Sequence, residues 1–170
     1  MNSDTEVLEV RGLAVLLIDM QPVHIAMLDF DTRKRLIATQ VEMIRKCSRM
    51  NVPLFILENA NSGETSSSLQ QVISTVQQRL TIRKDFDDGF YGTGLGNALE
   101  SLRIKKLLLM GVHASCCVKK NAQSAIKRKF EVITSETLIA NGHRYAWDNK
   151  NTWYAQNCLL LRRAPRFRQS

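Results

Sequence analysis

Three side chains with complementary chemistry stand at equivalent places along this chain: Asp19, Lys84 and Cys117. Each lies at or just beyond the end of a short run of apolar or β-branched residues. A thiol acts as a nucleophile, a carboxylate takes its proton and later returns it to a leaving group, and an ammonium group stabilises both anions. Together the three residues predict nucleophilic attack by Cys117 and a thioester intermediate that water hydrolyses.

The sequence around Cys117 favours this role. An apolar run ends at Gly111 and Val112, and a helical pattern begins at Val118. A strand that leads into a helix places backbone N–H groups and the positive end of the helix dipole beside the thiol, which favours the thiolate. The same N–H groups would bind the oxyanion formed during attack, at about 3 kcal/mol per donor. For an isolated cysteine, a buried structural role would be the commoner interpretation.

Short apolar runs alternate with helical patterns along the chain. Strands are predicted over residues 13–18, 54–57, 80–83, 107–110, 132–134 and 158–161. Helices are predicted after a cap at Asp31 or Thr32, over 69–80, after a cap at Thr93, over 117–129 and, with weaker periodicity, over 143–157.

This alternation predicts a three-layer α/β/α sandwich with a mostly parallel, doubly wound, Rossmann-like sheet. Ligands bind at the carboxyl ends of the strands in such folds. Asp19, Lys84 and Cys117 all fall at that edge of the predicted sheet.

Length and composition restrict the class of protein. The 170 residues fit one domain over 1–170, and the sequence allows disorder in the basic tail 162–170. Four cysteines without disulfide spacing, and no signal-like start, indicate a cytoplasmic protein; no apolar run approaches the ~20 residues of a membrane span. The net charge of +8 would attract polyanions, but the basic residues are scattered and aromatics are few, which disfavours a nucleic-acid partner.

Three motifs occur in order: Asp-Met-Gln over residues 19–21, Lys84 followed by Phe-Tyr-Gly-Thr-Gly-Leu over 90–95, and Gly-Val-His-Ala-Ser-Cys-Cys-Val over 111–118. They resemble the Asp-x-Gln, Lys with Phe-x-x-Thr-x-Leu, and Gly-Val-x-Thr-x-x-Cys-Val motifs of the isochorismatase-like cysteine hydrolases. That family includes nicotinamidases, N-carbamoyl amidohydrolases and isochorismatases. The resemblance covers nearly the whole chain and implies the isochorismatase-like fold.

Carried over by position, the resemblance implies Asp19 as general base and acid, Lys84 as charge stabiliser and Cys117 as nucleophile. It also implies a cis peptide between Val112 and His113, with the backbone N–H groups of His113 and Cys117 forming an oxyanion hole. The implied reaction is cofactor-independent cleavage of a C–N bond in a small amide or carbamoyl compound. The family is commonly homo-oligomeric.

The chain departs from the family pattern at several positions. Ala114 stands where a Thr is usual, and His24 where many relatives have Phe. Zinc-binding nicotinamidases carry an Asp-x-His pair after the second strand, but residues 58–61 here read Glu-Asn-Ala-Asn, so no metal site of that kind is expected.

The substrate pocket is expected to involve Gln21, His24, Phe86 and Tyr91. Trp147 and Trp153 are further aromatic candidates, although large aromatics more often lie in a core or at a subunit contact.

Three other interpretations stay open. His113 could serve as the base of a Cys–His dyad, because it lies only four residues before the thiol. An isochorismatase-type vinyl-ether hydrolase is also compatible with the fold, although that chemistry does not require a nucleophilic cysteine. A catalytically inactive member of the family could instead act as a binding or scaffold protein for an acidic partner.

Overall fold

The computed structural model describes residues 6–145 and 150–169 of the protein. Within them, the strands are β1 (Val7–Glu9), β2 (Leu13–Ile18), β3 (Leu54–Asn59), β4 (Arg79–Lys84), β5 (Lys106–Val112), β6 (Glu131–Ser135), β7 (Ile139–Ala140), β8 (Leu159–Leu161) and β9 (Arg166–Arg168). The helices are α1 (Pro22–Ile25), α2 (Phe30–Met50), α3 (Ser67–Ile73), α4 (Leu95–Ser101), α5 (Lys119–Lys127) and α6 (Lys150–Asn157). No helix in these two ranges is both long and apolar enough to cross a lipid bilayer.

Seven of the described strands form one parallel sheet in the order β4-β3-β2-β5-β6-β8, with β7 paired to β5. This confirms the predicted α/β fold class. The order reverses direction between β2 and β5, because the chain first builds the sheet outward from β2 to β4 and then returns to the other side. Such a switch point opens a crevice at the carboxyl ends of the strands.

The burial of β2 explains its unbroken apolar sequence. All six of its residues are buried, since β3 and β5 flank it and helices cover both faces. Leu13, Val15 and Leu17 pack in one core with α2 and α3. The alternate residues, Ala14, Leu16 and Ile18, pack in a second core with α4 and α5. Successive side chains of a strand point to opposite faces of the sheet, so a sheet covered by helices on both faces has two cores and the protein has three layers.

Helix boundaries differ from the predicted ones at several places. Helix α2 begins at Phe30 because the side chain of Asp29, rather than Asp31 or Thr32, accepts the Thr32 N–H at 2.9 Å. Helix α3 ends at Ile73, and Leu80, which fits its apolar spacing, instead belongs to β4. The helix expected over 143–157 is described only as a short 3₁₀ turn at His143–Tyr145 and as α6; Trp147 lies outside the described residues.

The basic tail is ordered through residue 169, whereas the sequence allowed disorder there. Strand β9 pairs in parallel with β1, which pattern analysis did not predict, and Phe167 packs against the core. The ammonium of Lys46 donates to the carbonyl of Pro165 at 2.9 Å. Arginines with an apolar residue between them suit an edge strand that has one solvated face.

Gly111 allows β5 to approach β2 closely at the site edge of the sheet. Its φ is +144°, and a Cβ built there would lie 2.1 Å from the carbonyl oxygen of Ile18. Only glycine fits this position. The residues that follow Ile18 and Val112, which end β2 and β5, are thereby brought side by side.

Candidate active site

Asp19 and Lys84 form a buried ion pair at the carboxyl ends of β2 and β4. The Lys84 Nζ lies 2.9 Å from Oδ1 and 3.0 Å from Oδ2 of Asp19, and the two residues are 1% and 2% exposed. Lys84 also donates to the carbonyl of Phe86 at 3.3 Å. Because the ammonium contacts both carboxylate oxygens, it fixes the orientation of the Asp19 side chain and supplies its counter-charge.

The backbone at Asp19 is in a conformation that few residues other than glycine adopt. Its φ is +52°, and its N–H donates to the carbonyl of Leu57 at 3.0 Å. Aspartate is among the side chains that best tolerate the left-handed region, and such residues cluster at functional sites. Because the backbone turns at Asp19, directly after β2, the carboxylate points towards Lys84.

The cysteines lie on a tight turn that follows β5. The expected cis peptide joins Val112 to His113, and a single π-helical turn spans Ala114–Val118 ahead of α5. The carbonyl of His113 accepts the N–H groups of Cys116 at 3.0 Å and Val118 at 3.3 Å, on either side of the Cys117 N–H. Cys117 therefore sits in a π turn rather than at the start of the predicted helix over 117–129. Turns of this kind are frequent at functional sites.

Two side chains that the sequence analysis did not identify stabilise this turn by hydrogen bonds. Asn141 accepts the Ser115 N–H at 2.9 Å and donates to its hydroxyl at 2.8 Å. The buried Tyr154 donates its hydroxyl to the carbonyl of Ala114 at 2.7 Å. Both come from segments distant in sequence from the cysteines, so no local pattern connects them to the turn.

A third missed residue, Asn121, joins the turn to the acidic loop after β4. It is fully buried and donates to the carbonyls of Cys117 at 2.8 Å and Asp87 at 3.0 Å. Its side-chain oxygen accepts the Gly89 N–H at 2.9 Å. The sequence does hold a signal for this role. Asn121 lies four residues after Cys117, on the same face of a helix, and it is a polar residue within an otherwise apolar stripe.

Both thiols face the carboxylate of Asp87. The Sγ of Cys117 lies 3.5 Å from Oδ1, and the Sγ of Cys116 lies 3.5 Å from Oδ2. Asp87 is exposed, and both cysteines are half-buried. Sequence analysis gave neither Cys116 nor Asp87 a role.

The surroundings raise the pKa of the Cys117 thiol well above its ordinary value. The hydrogen bond with Cys116 contributes most, followed by burial and the negative charge of Asp19, while Lys84 acts in the opposite direction. The sequence predicted an environment that favours the thiolate, and the structure differs because the hydrogen bond with Cys116 and burial outweigh the effect of Lys84 on the pKa of the thiol. Cys117 rests as a thiol and must lose its proton when it attacks.

His113 is a neutral imidazole whose protonation is set by its contacts. Burial, then the positive charges of His24 and Arg144, lower its pKa to about 4. The Gly142 N–H donates to its Nδ1 at 3.0 Å, so Nε2 carries the proton. A base of such low pKa, with its acceptor nitrogen occupied, is poorly suited to deprotonate a thiol at neutral pH. The geometry therefore disfavours the Cys–His dyad.

The ring of His113 packs between two others. Tyr145 lies 4.8 Å away between ring centroids, and His24 lies 6.4 Å away in an edge-on arrangement. The Nε2 atoms of both histidines are buried and have no hydrogen-bond partner among the described residues. A buried donor without a partner costs about 1–3 kcal/mol, so this pair suits a ligand that supplies an acceptor.

The remaining pocket candidates fall into two groups. Gln21 is fully buried, and its amide bonds the backbone of Asn59 and Gly63 at 2.6–2.8 Å, so it holds two loops together rather than lining an open pocket. Phe86 and Tyr91 are 57% and 62% exposed and contact each other edge to face, with ring centroids 5.0 Å apart. They form an apolar rim on the acidic loop.

The family model of the isochorismatase domain matches residues 13–159 of the sequence. The chain belongs to the isochorismatase family. No match is found among curated proteins. In this isochorismatase-family hydrolase, the motifs quoted from the sequence lie at the strand ends that carry the Asp19–Lys84 pair and the cysteine turn.

Solved structures share the fold of this isochorismatase-family chain. A nicotinamidase from Staphylococcus aureus has a TM-score of 0.75 at 20% identity, covering 89% of this chain and 99% of its own. An N-carbamoylsarcosine amidase from Thermoplasma acidophilum has a TM-score of 0.73 at 17% identity, with 88% and 95% covered. An octameric Escherichia coli hydrolase of unknown specificity has a TM-score of 0.75 at 19% identity, with 91% and 76% covered.

Proposed function

We propose that this isochorismatase-family hydrolase cleaves the C–N bond of a small amide or carbamoyl compound through a thioester on Cys117. The observation that carries the proposal is the buried Asp19–Lys84 pair, whose charges act directly on the Cys117 thiol. A buried carboxylate that is paired with an ammonium and lies near a thiol is an arrangement suited to general-base catalysis. The amide and carbamoyl substrates in the names of two structural neighbours support the substrate class.

In the proposed reaction, Asp19 removes the Cys117 proton as the sulfur attacks the carbonyl carbon. The oxyanion is received by the backbone N–H groups of His113 and Cys117. As the tetrahedral intermediate collapses, the C–N bond breaks and Asp19 returns the proton to the leaving nitrogen. Asp19 then deprotonates water, which attacks the thioester; as the C–S bond breaks, Asp19 returns the proton to the Cys117 sulfur and the acid product leaves. Lys84 stabilises the Asp19 carboxylate by its positive charge.

The raised pKa of Cys117 shapes this mechanism. The thiol is not ionised beforehand, so proton transfer to Asp19 and attack by sulfur must accompany each other. A carboxylate that returns to its ionised form after each half-reaction can serve as both acid and base. No cofactor takes part in the proposed steps.

We further propose that the substrate presents a hydrogen-bond acceptor to the Nε2–H of His113, beside His24. The Nε2 atoms of these two histidines, which have no hydrogen-bond partner within residues 6–145 and 150–169, support this assignment. Phe86 and Tyr91 would form the mouth of the pocket, in keeping with their exposure. Small planar amides fit between a polar wall and an aromatic rim.

The proposed setting is a cytoplasmic homo-oligomer with one hydrolase domain over residues 1–170. The octameric state of one structural neighbour supports self-association, and the exposed Phe86–Tyr91 pair offers apolar surface for it. Size-exclusion chromatography with light scattering tests the assembly.

The substrate class is tested by ammonia release from a panel of small amides and carbamoyl compounds. Release by the wild type, lost in Cys117→Ala and in Asp19→Asn, would support the proposal. Activity on a vinyl ether that survives Cys117→Ala would favour the isochorismatase-type alternative. Absence of turnover, together with salt-sensitive binding to an acidic partner, would favour a scaffold role.

A further inference from the structure

The two adjacent thiols and Asp87 bring three ligand atoms together at the surface of the protein. Each sulfur lies 3.5 Å from a different oxygen of the carboxylate, and all the donor atoms lie within 4.8 Å of one another. Asp87 is exposed and the cysteines are half-buried, so an ion can reach the cluster from solvent.

The spacing of these atoms is compatible with a tetrahedral metal site. A zinc ion has bonds of about 2.3 Å to thiolate sulfur and about 2.0 Å to carboxylate oxygen, so at a tetrahedral angle its sulfur and oxygen ligands lie about 3.5 Å apart. Each sulfur has this separation from a different oxygen of Asp87. Whichever oxygen binds the ion, one sulfur already lies at the required distance, and the donor atoms of the three residues lie within 4.8 Å of one another, so a side-chain rotation brings the other sulfur into place.

Both parts of the cluster are held in place by the same buried side chain. Asn121 donates to the carbonyls of Cys117 and Asp87, and its oxygen accepts the Gly89 N–H in the loop that carries the carboxylate. The π turn fixes the relation of Cys116 to Cys117. Preorganised ligands lose little entropy on binding, which favours a chelate over a chance contact.

We propose that Asp87, Cys116 and Cys117 form a binding site for a thiophilic divalent cation such as Zn²⁺ or Cd²⁺, with water as the fourth ligand. Two S–H bonds break and release two protons to solvent, while two metal–sulfur bonds and one metal–oxygen bond form. No oxidation or reduction takes place. Because Cys117 is the nucleophile of the proposed function, on which this consequence rests, the bound ion inhibits hydrolysis.

The site differs in place and donors from an Asp-x-His zinc centre after the second strand. It depends on Cys116 and Asp87, which the proposed hydrolytic mechanism does not use. The ion would therefore be an inhibitor that competes with substrate for Cys117, and not a participant in catalysis.

Binding is tested directly by titrating the reduced full-length protein with Cd²⁺ and following the ultraviolet charge-transfer absorption of cadmium–thiolate bonds. One Cd²⁺ per chain is expected, with release of two protons in weakly buffered solution. Cys116→Ser should weaken binding by at least about 100-fold and Asp87→Asn by at least about 10-fold, because loss of a group that only supports a ligand already costs about 10–100-fold. Cys158→Ser, which removes another half-buried thiol, should leave binding unchanged.

The proposal is overturned if the wild type binds Cd²⁺ no more tightly than Cys116→Ser, or if Cys158→Ser weakens binding as much. These measurements do not require turnover, so they separate the two proposals. If the protein binds Cd²⁺ but hydrolyses no substrate, the metal site is supported and the proposed hydrolase function is not. Turnover that Zn²⁺ inhibits equally in the wild type and in Cys116→Ser would count against the metal site alone.

Discussion

The ammonium of Lys84 lies within 3.0 Å of both carboxylate oxygens of Asp19, in a position almost closed to water. The pKa of the neighbouring Cys117 thiol is nevertheless raised, because its hydrogen bond with Cys116, its burial and the charge of Asp19 outweigh the opposite effect of Lys84. Lys84 thus supplies the counter-charge and hydrogen bonds that a buried carboxylate requires.

Removing one member of this pair should be far more harmful than removing both. Lys84→Met leaves the Asp19 charge buried and unpaired, and should lower the free energy of unfolding by about 3–5 kcal/mol. The double variant Asp19→Asn with Lys84→Met, in which Asn tolerates the left-handed backbone as Asp does, should recover much of that loss while remaining inactive. Urea unfolding of the wild type, both single variants and the double variant measures the effect. A double variant as unstable as the sum of the single ones would contradict this account.

Gly111 should be irreplaceable at the junction of β2 and β5. A methyl group there would lie 2.1 Å from the Ile18 carbonyl, so Gly111→Ala should cost at least about 2 kcal/mol of stability and displace Asp19. Gly96→Ala is the matched control, because nothing lies within 4 Å of its added carbon and the site is helical. Thermal unfolding should show the control unchanged or stabilised by about 0.5–1 kcal/mol. Equal losses in both variants would refute the close-approach argument.

The central strands and the site motifs were predictable from the sequence, and particular residues show why. Leu13 to Ile18 had to be apolar throughout, since neighbouring strands and both helical layers bury them. Asp19 and Lys84 could be paired because parallel strands end at a common edge.

Other parts of the site depend on contacts between segments distant in sequence. Strand β9 is formed by pairing with β1, and Tyr154 reaches Ala114 from another part of the chain. The state of the Cys117 thiol also depends on contacts with Cys116 and Asp19, which local spacing does not reveal. The motifs single out Asp19, Lys84 and Cys117 as candidates, but only the three-dimensional arrangement shows that the pKa of the Cys117 thiol is raised.

Asn121 should act as a positioning residue for the cysteine turn. Asn121→Leu removes its bonds to Cys117, Asp87 and Gly89, and should lower stability by about 1–3 kcal/mol and reduce kcat more than it raises KM. Gln123→Ala, on the same helix and only half-buried, is the control. Steady-state kinetics at a temperature where both variants are folded separates the two effects. An unchanged kcat in Asn121→Leu would assign the residue a purely structural role.

Acid should destabilise the protein through His113. Its folded pKa is about 4, below the ordinary value of 6.5, so the unfolded state binds more protons between these values. The stability associated with neutral His113 is therefore fully present above pH 6.5 and is lost as the pH falls through about 4. Urea midpoints over this range should fall more steeply for the wild type than for His113→Gln. Parallel curves would show that His113 does not titrate in this way.

The central claim, that Cys117 forms the covalent intermediate, is tested most directly by intact-mass and peptide mass spectrometry of the protein quenched in acid during turnover of a slow amide substrate. An acyl group mapped to Cys117, present in the wild type and in Cys116→Ser but missing in Cys117→Ala, is the predicted result. An acyl group on Cys116, or hydrolysis that continues in Cys117→Ala, would contradict the account.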